Sequence, residues 1–322
     1  MELCPWRRSL TGALLACLAA CTPIQFAEQE ITLRHDAAAD ALEMLIVYDG
    51  VNAGPPRETD VAEKVEMSSE MAFALGVAGG EAMFMIFDWP FLVTVKDLAP
   101  GGDDARRALE AEIADPETTP GRRLEAEWRL WLTGTRVVSA GFCSGSSQRL
   151  SLHQTLRFEH AGKFIELAQA GSYLWIEESV AQGSLDRDTP TLDARTRELW
   201  ALAAKEKRKW LFLAGDVLTV DLPMSEACAA RLLAVSLYEA TRDKGTFVAG
   251  LLSHVASVRI ADERLVLTWK LDEPLFTFPE PEGYEYDEKL AWAIRLSEQY
   301  PAKVPHRSEI EKRFRTRPLN SR

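Results

Sequence analysis

The sequence predicts an α+β fold in which helices pack on a mostly antiparallel sheet built from hairpins. Three segments, 31–48, 209–222 and 256–271, alternate apolar and polar residues on both sides of a short turn, which is typical of β-hairpins. Hairpins with short turns force antiparallel pairing. The predicted helices lie in groups between these hairpins and do not alternate with single strands, which disfavours a doubly wound parallel sheet.

The first half of the chain adds loop, helix and strand patterns to the first hairpin, whose turn is the Ala/Asp stretch 36–40. The prediction for 124–142 rests on Trp128, Leu130 and Leu132, which would share one face of a strand. The predictions, in order, are a loop at 51–60, a helix at 62–75, a buried strand interrupted near Pro90 within 82–95, a surface helix at 105–113 and sheet structure at 124–142.

The second half predicts a strand, helices and the other two hairpins. Apolar residues at helical spacing from Phe164 to Trp175 indicate an amphipathic helix, and Ser225 is a suitable N-cap residue. The predictions, in order, are a strand at 149–158, helices at 161–181 and 192–207, a hairpin with a Gly215-Asp216 turn, a helix at 225–242, a hairpin around 261–264, an acidic loop at 272–288 and a short helix at 289–299.

The acidic composition excludes one class of partner. The 322 residues carry 37 Lys and Arg against 49 Asp and Glu, a formal net charge of −12. Such a body repels phosphate backbones, so we expect no nucleic-acid partner. After residue 21 no segment has the roughly 20 uncharged apolar residues of a membrane span. The nearest, 82–95, is too short and contains Asp88 and Pro90.

The first 20 residues have the pattern of a signal peptide. Arg7 and Arg8 precede an uncharged apolar stretch, Ser9–Ala20, which is too short to span a membrane. The residues Leu18-Ala19-Ala20-Cys21 resemble the lipobox of bacterial lipoproteins, in which an aliphatic residue and two small residues precede a cysteine. An ordinary signal peptidase site before Cys21 fits less well, because Leu18 would occupy position −3.

The resemblance to lipoproteins implies cleavage before Cys21, a diacylglycerol on its sulfur and an acyl chain such as palmitate on its amine. The implied location is the bacterial cell envelope, at the inner or outer membrane, with the body facing the periplasm or the surface. Cys17 is the competing candidate, but Leu15 stands two positions before it and its apolar stretch is shorter. The alternative is an ordinary secreted or cytosolic protein with an apolar N-terminal helix.

Lipoprotein processing would leave two free cysteines in the mature chain, Cys143 and Cys228. Cys4 and Cys17 would leave with the signal peptide, and Cys21 would carry lipid. Because an exported compartment permits disulfides, one hypothesis is a bond between Cys143 and Cys228. The alternative is two buried thiols that act as small hydrophobic residues.

One short motif provides a weak catalytic candidate. Gly141-Phe142-Cys143-Ser144-Gly145 resembles the G-x-[SC]-x-G nucleophile elbow of α/β-hydrolases, which implies Cys143 as nucleophile. The elbow requires a helix directly after the motif, whereas 149–158 alternates like a strand. No context marks one of the downstream histidines as the base; they are His153, His160, His254 and His306.

Other residue patterns give weaker indications. The sequence has no H-x-H, H-E-x-x-H or C-x-x-C spacing, so it predicts neither a metal site nor a cofactor. Phe276, Phe278, Tyr284 and Tyr286 in the acidic loop could form a contact surface, although packing beneath the loop also explains them. The basic tail 303–322 could touch anionic lipid heads, and a solvated disordered tail is the other interpretation.

These observations predict an organisation and a function. The predicted function is a lipid-anchored envelope protein with a non-catalytic binding or structural role, attached to the membrane by its lipid and able to bind an envelope protein partner. The alternatives are an anchored hydrolase that uses Cys143 and an assembly factor for other envelope proteins. The predicted segments are a signal peptide at 1–20, a lipidated tether at 21–28, an α+β body at 29–279 with an optional subdomain boundary near 100–123, and an acidic loop, short helix and basic tail at 280–322.

Overall fold

The structure, a computed structural model of the chain, confirms the predicted fold class. It describes residues 27–51, 82–85, 91–94, 103–145, 149–185, 192–242, 250, 252–279 and 304–318. Within these residues six helices accompany antiparallel sheets of five and four strands. The signal peptide, Cys21 and the helices predicted at 62–75 and 289–299 lie outside the described residues.

Helices and strands follow an order close to the predicted one. The helices are α1 (Asp103–Ala114), α2 (Pro120–Leu132), α3 (Ala161–Ala181), α4 (Ala194–Glu206), α5 (Glu226–Arg242) and α6 (Arg307–Thr316). The strands are β1 (Glu28–Asp36), β2 (Ala41–Asp49), β3 (Ala82–Met85), β4 (Phe91–Thr94), β5 (Arg136–Ser144), β6 (Leu150–Glu159), β7 (Leu211–Ala214), β8 (Val217–Pro223), β9 (Ser257–Ala261), β10 (Arg264–Lys270) and β11 (Pro274–Pro279). The short strands β3 and β4 pair with each other, where a single interrupted strand was predicted.

The five-stranded sheet has the order β11-β1-β2-β6-β5, and every neighbouring pair is antiparallel. The predicted hairpin at 31–48 forms its centre, with Ile31 opposite Ile46. Successive side chains of a strand point to opposite faces. In β2, Ile46 therefore points to the main core, while Leu45 and Val47 point to the other face.

The main core joins the two larger sheets and α5. The four-stranded sheet, in the order β7-β8-β10-β9, contains the other two predicted hairpins. Leu265, Leu267 and Trp269 of β10 are buried in one cluster with Ile46 of β2 and Cys228 of α5. Burial of apolar surface is the dominant favourable term in folding, so this cluster holds the two sheets together.

The sheet structure predicted at 124–142 is wrong in its first part, which belongs to α2. Pro120 begins this helix, where its missing N–H is not needed, and the Thr119 hydroxyl accepts a hydrogen bond from the backbone N–H of Arg122 (3.4 Å). Trp131 stacks on Phe158 of the sheet, with ring centroids 5.4 Å apart. A short apolar run fits both the strand and the helix period, and here tertiary packing and the N-cap favour the helix.

The loop predicted at 272–288 is wrong in its first part, because 274–279 form β11 beside β1. Proline is tolerated there since β11 is an edge strand, and its missing N–H breaks no ladder bond that the sheet requires. Phe276 packs in the main core against Trp269, with ring centroids 6.0 Å apart. For Phe276 the packing interpretation is therefore correct, whereas Tyr284 and Tyr286 lie outside the described residues.

The solvated tail predicted at 303–322 is wrong over 307–316, which form α6. Ile310 and Phe314 on this helix are buried. They pack on the face of the five-stranded sheet opposite the main core, against Leu45, Val47 and Cys143. Among the described residues no helix is both long and apolar enough to cross a membrane.

Candidate binding groove

The candidate site is a groove along α3, whose N-terminus is capped by the turn between β1 and β2. Asp40 in that turn accepts two hydrogen bonds from the start of α3. Its carbonyl oxygen accepts from the N–H of Ala161 (2.8 Å), and its Oδ1 accepts from the N–H of Gly162 (2.8 Å). His160 precedes the helix with φ of 60° and gives no side-chain cap. A residue distant in sequence therefore satisfies both N–H groups, one through its carbonyl and one through its carboxylate, and the carboxylate suits the positive end of the helix dipole.

Helix α2 and strand β7 pack beside α3 and are held to it by polar contacts. Lys163 of α3 forms an ion pair with Glu127 of α2 (2.8 Å). Gln169 Nε2 of α3 donates to the carbonyl oxygen of Leu211 in β7 (3.1 Å). Near the far end of β7, His35 Nδ1 lies 2.9 Å from the carbonyl oxygen of Gly215. These contacts fix the relative positions of α2, α3 and β7.

The three elements border an open groove of about 970 Å³. Sites for small molecules commonly have volumes of about 300–1,000 Å³ and are mostly apolar with a few placed polar groups. The larger apolar side chains that line the groove are Leu124, Ile165, Leu174, Leu211, Phe212 and Leu213. The volume of the groove lies at the upper end of that range, and its larger lining side chains are apolar.

The two ends of the groove differ in charge. Gly162 and Tyr173, which both line it, are eleven residues apart on α3, or about 16 Å along the helix axis. Asp40, Glu127 and Glu166 line the Gly162 end, and Lys207 and Lys209 line the Tyr173 end with Glu177. The "acidic end" and the "basic end" below mean these two groups of residues.

In the part of the chain that the structure describes, two residues that line the groove each have a buried polar atom without a hydrogen-bond partner. The Tyr173 side chain is nearly fully buried (5% exposed), and its hydroxyl makes no hydrogen bond. Arg123 uses one terminal nitrogen to donate to the Asp115 and Thr118 carbonyls (3.1 and 3.4 Å), but its buried Nε has no partner. Burial raises the pKa of Tyr173, although Arg208 opposes that effect, so the hydroxyl stays protonated at neutral pH.

The cations at the basic end are only partly neutralised. Lys207 pairs with Glu177 and places its ammonium 5.7 Å from the centroid of the Tyr173 ring. Lys209 forms no ion pair with any residue in the described part of the chain. The basic end thus combines a buried hydroxyl, which can donate, with an unpaired ammonium.

A second polar region, the charged sheet face, lies under α6. It comprises buried charged and polar residues on the face of the five-stranded sheet that points away from the main core, namely Arg34, Asp36, Glu43, Asp49, His153 and Arg157. Glu43 accepts hydrogen bonds from Arg157 (3.4 Å) and from Arg317 (2.7 Å), while Arg307 of α6 contacts Glu30 (2.7 Å). These ion pairs attach α6 to the sheet.

Cys143 lies at this charged sheet face and has none of the features of an activated nucleophile. It is fully buried, and burial, together with the nearby Asp49 carboxylate, raises its pKa to about 12. The thiolate is the reactive form, so this cysteine is inert at neutral pH. The strand that carries it, β5, pairs antiparallel with β6 directly after the motif. The hydrolase alternative therefore has no support among the described residues.

The glycines of the Gly141–Gly145 motif have packing roles. Gly141 lies opposite His153, and a Cβ at this position would come 3.3 Å from the imidazole Nε2. A Cβ on Gly145 would overlap the Asp49 carboxylate and crowd Ser151, whose hydroxyl donates to Asp49 Oδ1 (2.7 Å). The motif thus places small residues where β5 meets buried polar side chains.

The structure does not contain the Cys143–Cys228 bond. Both cysteines are free and buried. Cys143 lies in the cluster under α6, and Cys228 lies in the main core. The alternative of two buried thiols describes what the structure shows.

The described residues contain no candidate metal site, and comparisons with known proteins found no match. No group of three or more His, Cys, Asp or Glu residues in the described ranges is placed to hold a metal ion. No family model matches the chain, no curated protein matches it, and no solved structure matches it.

The sequence did not indicate Arg123, Tyr173 or Lys209 as residues of a site. Arg123 lies between the predicted surface helix and the predicted sheet segment, Tyr173 lies within the helix predicted at 161–181, and Lys209 ends a basic run that suits the C-terminal dipole of the helix predicted at 192–207. The three residues come from α2, from α3 and from the segment before β7. The basic run Lys205–Lys209 was a local signal, but only the fold brings part of it beside a buried tyrosine.

Proposed function

We propose that the chain is a lipid-anchored protein of the bacterial cell envelope that binds a ligand in the groove and catalyses no reaction. The observation that carries the anchor is Leu18-Ala19-Ala20-Cys21 at the end of an uncharged apolar stretch. A diacylglycerol places two acyl chains in the bilayer. Two chains anchor stably, whereas one chain binds only marginally.

The position of β1 relates the anchor to the groove. The seven residue steps from Cys21 to Glu28 can span at most about 25 Å, so the start of β1 would stay close to the membrane. The nine residues of β1 extend about 27 Å further. His35 and Asp40, which line the groove, lie at the far end of the β1–β2 hairpin. This arrangement supports a groove that is presented away from the anchoring point.

The groove supports binding more than catalysis. Its aliphatic lining and unpaired donors can hold and orient a ligand. Its carboxylates at the acidic end have structural partners, because Asp40 caps α3 and Lys163 contacts both Glu127 (2.8 Å) and Glu166 (3.8 Å). No paired nucleophile and base lines the described groove.

The anchor is tested by a matched pair of cysteine variants, Cys21→Ala and Cys17→Ala, expressed in a bacterial host. The readout is the mass of the N-terminal peptide of the membrane-associated protein. We expect the unchanged chain and Cys17→Ala to yield a peptide that begins at Cys21 and carries the mass of a diacylglycerol with its acyl chain. We expect Cys21→Ala to yield no lipidated peptide. A mature chain that begins elsewhere, or that begins at Cys21 without lipid, would refute the anchor.

A further inference from the structure

We propose that the groove binds small amphipathic molecules with an anionic oxygen headgroup, a carboxylate or a phosphate, which lies at the basic end with the apolar part along α3. The inference rests on the proposed function, since it specifies the ligand of the same groove. It follows from the unpaired buried donors, the unequal charge of the two ends and the aliphatic lining between them.

The buried hydroxyl of Tyr173 is the first observation. A buried polar group without a partner is costly, and native structures contain few of them. Tyr173 is 5% exposed, and the hydroxyl has no hydrogen-bond partner although its side chain borders an open groove. The hydroxyl itself has almost no exposed surface in the unliganded structure, so a ligand oxygen at the basic end would satisfy it once the side chains that cover it move aside. The unpartnered Nε of Arg123, another residue of the lining, can donate to the same kind of acceptor.

The charges decide the nature of that oxygen and its position. The Lys209 ammonium has no counter-ion in the described structure, whereas Lys207 already has Glu177. At the other end, the single charge of Lys163 is shared by Glu127 and Glu166, so these two carboxylates with Asp40 keep an excess of negative charge that would repel an anion. An anionic headgroup is therefore favoured at the basic end and disfavoured at the acidic end, which gives the ligand one orientation.

The lining between the ends decides the rest of the ligand. Leu124, Ile165, Leu174 and Leu213 present aliphatic surface along the groove, and covering such surface is favourable by the hydrophobic effect. An extended peptide that added a strand to β7 is disfavoured, because Gln169 already occupies the Leu211 carbonyl and α3 packs against that strand. A small molecule with an apolar chain fits without displacing these contacts.

The test uses the full chain with Cys21→Ala, which carries no lipid that could compete, and titration calorimetry below the micelle concentration of each probe. The probes are decanoate, decyl phosphate and decanol. We expect saturable binding of at least one of the two anions, and binding of decanol at least tenfold weaker. The two anionic arms decide between carboxylate and phosphate headgroups.

Variants locate the headgroup. Tyr173→Phe should weaken binding of the preferred anion by about tenfold, because one hydrogen bond to a charged group is lost. Lys209→Gln should weaken it by about threefold, and added salt should abolish this difference. Lys205→Gln, an equally exposed cation on α4 that does not line the groove, is the matched control and should leave binding unchanged.

Three results would overturn the proposal: no saturable binding of either anion, equal binding of decanol, or unchanged affinity in Tyr173→Phe. Any of these, with a lipidated Cys21 in the unchanged chain, would remove the ligand class and leave the anchor standing. If the Cys21→Ala chain bound the anions saturably but Cys21 of the unchanged chain carried no lipid, the ligand class would be supported and only the anchor would be refuted.

Discussion

The charged sheet face and the groove are both rich in polar side chains, but their polar groups are satisfied in different ways. Under α6 most of the charges are buried in ion pairs, as Glu43 with Arg157 and with Arg317 illustrates, although Arg34 Nε, Asp36 Oδ2 and His153 Nδ1 make no hydrogen bond. In the groove the Tyr173 hydroxyl and the Arg123 Nε are buried and unpaired. Two differences remain: ion pairs between buried charges hold α6 to the sheet, and only in the groove do the residues with unpaired donors line open space. The charged sheet face is therefore a structural interface, and the groove is the candidate binding site.

The largest expected effect comes from removing the centre of the charged sheet face. Glu43→Ala leaves the Arg34, Arg157 and Arg317 guanidiniums without their shared carboxylate, and breaking a buried pair costs about 3–5 kcal/mol. Urea unfolding measures the loss. The exposed pair of Glu110 with Arg106 is the control, and Glu110→Ala should cost about 0.5 kcal/mol or less. Equal losses in the two variants would show that the charged face is not a structural interface.

A smaller effect is expected from acid. Burial and, to a smaller extent, the nearby Arg313 guanidinium lower the pKa of His153 from its ordinary value of 6.5 to about 4. The unfolded chain therefore binds the proton more tightly. The contribution of His153 to stability is complete above about pH 6.5 and is lost as the pH falls toward 4, by about 3 kcal/mol in the limit.

This pH dependence is measured by urea unfolding between pH 7 and pH 4. His153→Gln should flatten the profile relative to the unchanged chain. The exposed His254, whose Nε2 lies 2.7 Å from the Thr277 hydroxyl, provides the matched control, and His254→Gln should leave the slope unaltered. If His153→Gln left the slope intact, His153 would not be the origin of the acid sensitivity.

The smallest effects compare one hydroxyl from each region. Ser151→Ala removes a donor to the Asp49 carboxylate and should lower stability by about 1–2 kcal/mol. Tyr173→Phe removes a buried hydroxyl without a partner and should raise stability by about 1 kcal/mol. Thermal and urea unfolding of the unliganded chain measure both. A loss in Tyr173→Phe would mean that the hydroxyl already has a structural partner and is not free for a ligand.

The parts of the fold that the sequence predicted are those fixed by local chemistry. The turn at Gly215-Asp216 lies between two alternating runs, and the hairpin follows from these residues alone. The segment 120–132 fits two periods, and the packing of Trp131 on Phe158 decides in favour of the helix. The pairing of β11 with β1 depends on a contact between distant parts of the chain, so an acidic, Pro-broken segment showed no strand pattern.

The candidate site was harder to predict than the fold for the same reason. A tyrosine on an amphipathic helix, such as Tyr173, is typical of a hydrophobic core, and a lysine in a basic run, such as Lys209, is typical of a solvated surface. Their importance depends on an open groove between α2, α3 and β7, which no local pattern contains. Cys143, by contrast, had a recognisable local motif, and the tertiary structure gives its glycines a packing role.

The contact of Arg307 with Glu28 joins residues 279 positions apart in the sequence. Strand β1 likewise obtains its second neighbour only from β11, late in the chain. A growing chain must therefore hold β1 with one edge open until nearly all of the polypeptide has been made. Such late, long-range closure slows folding.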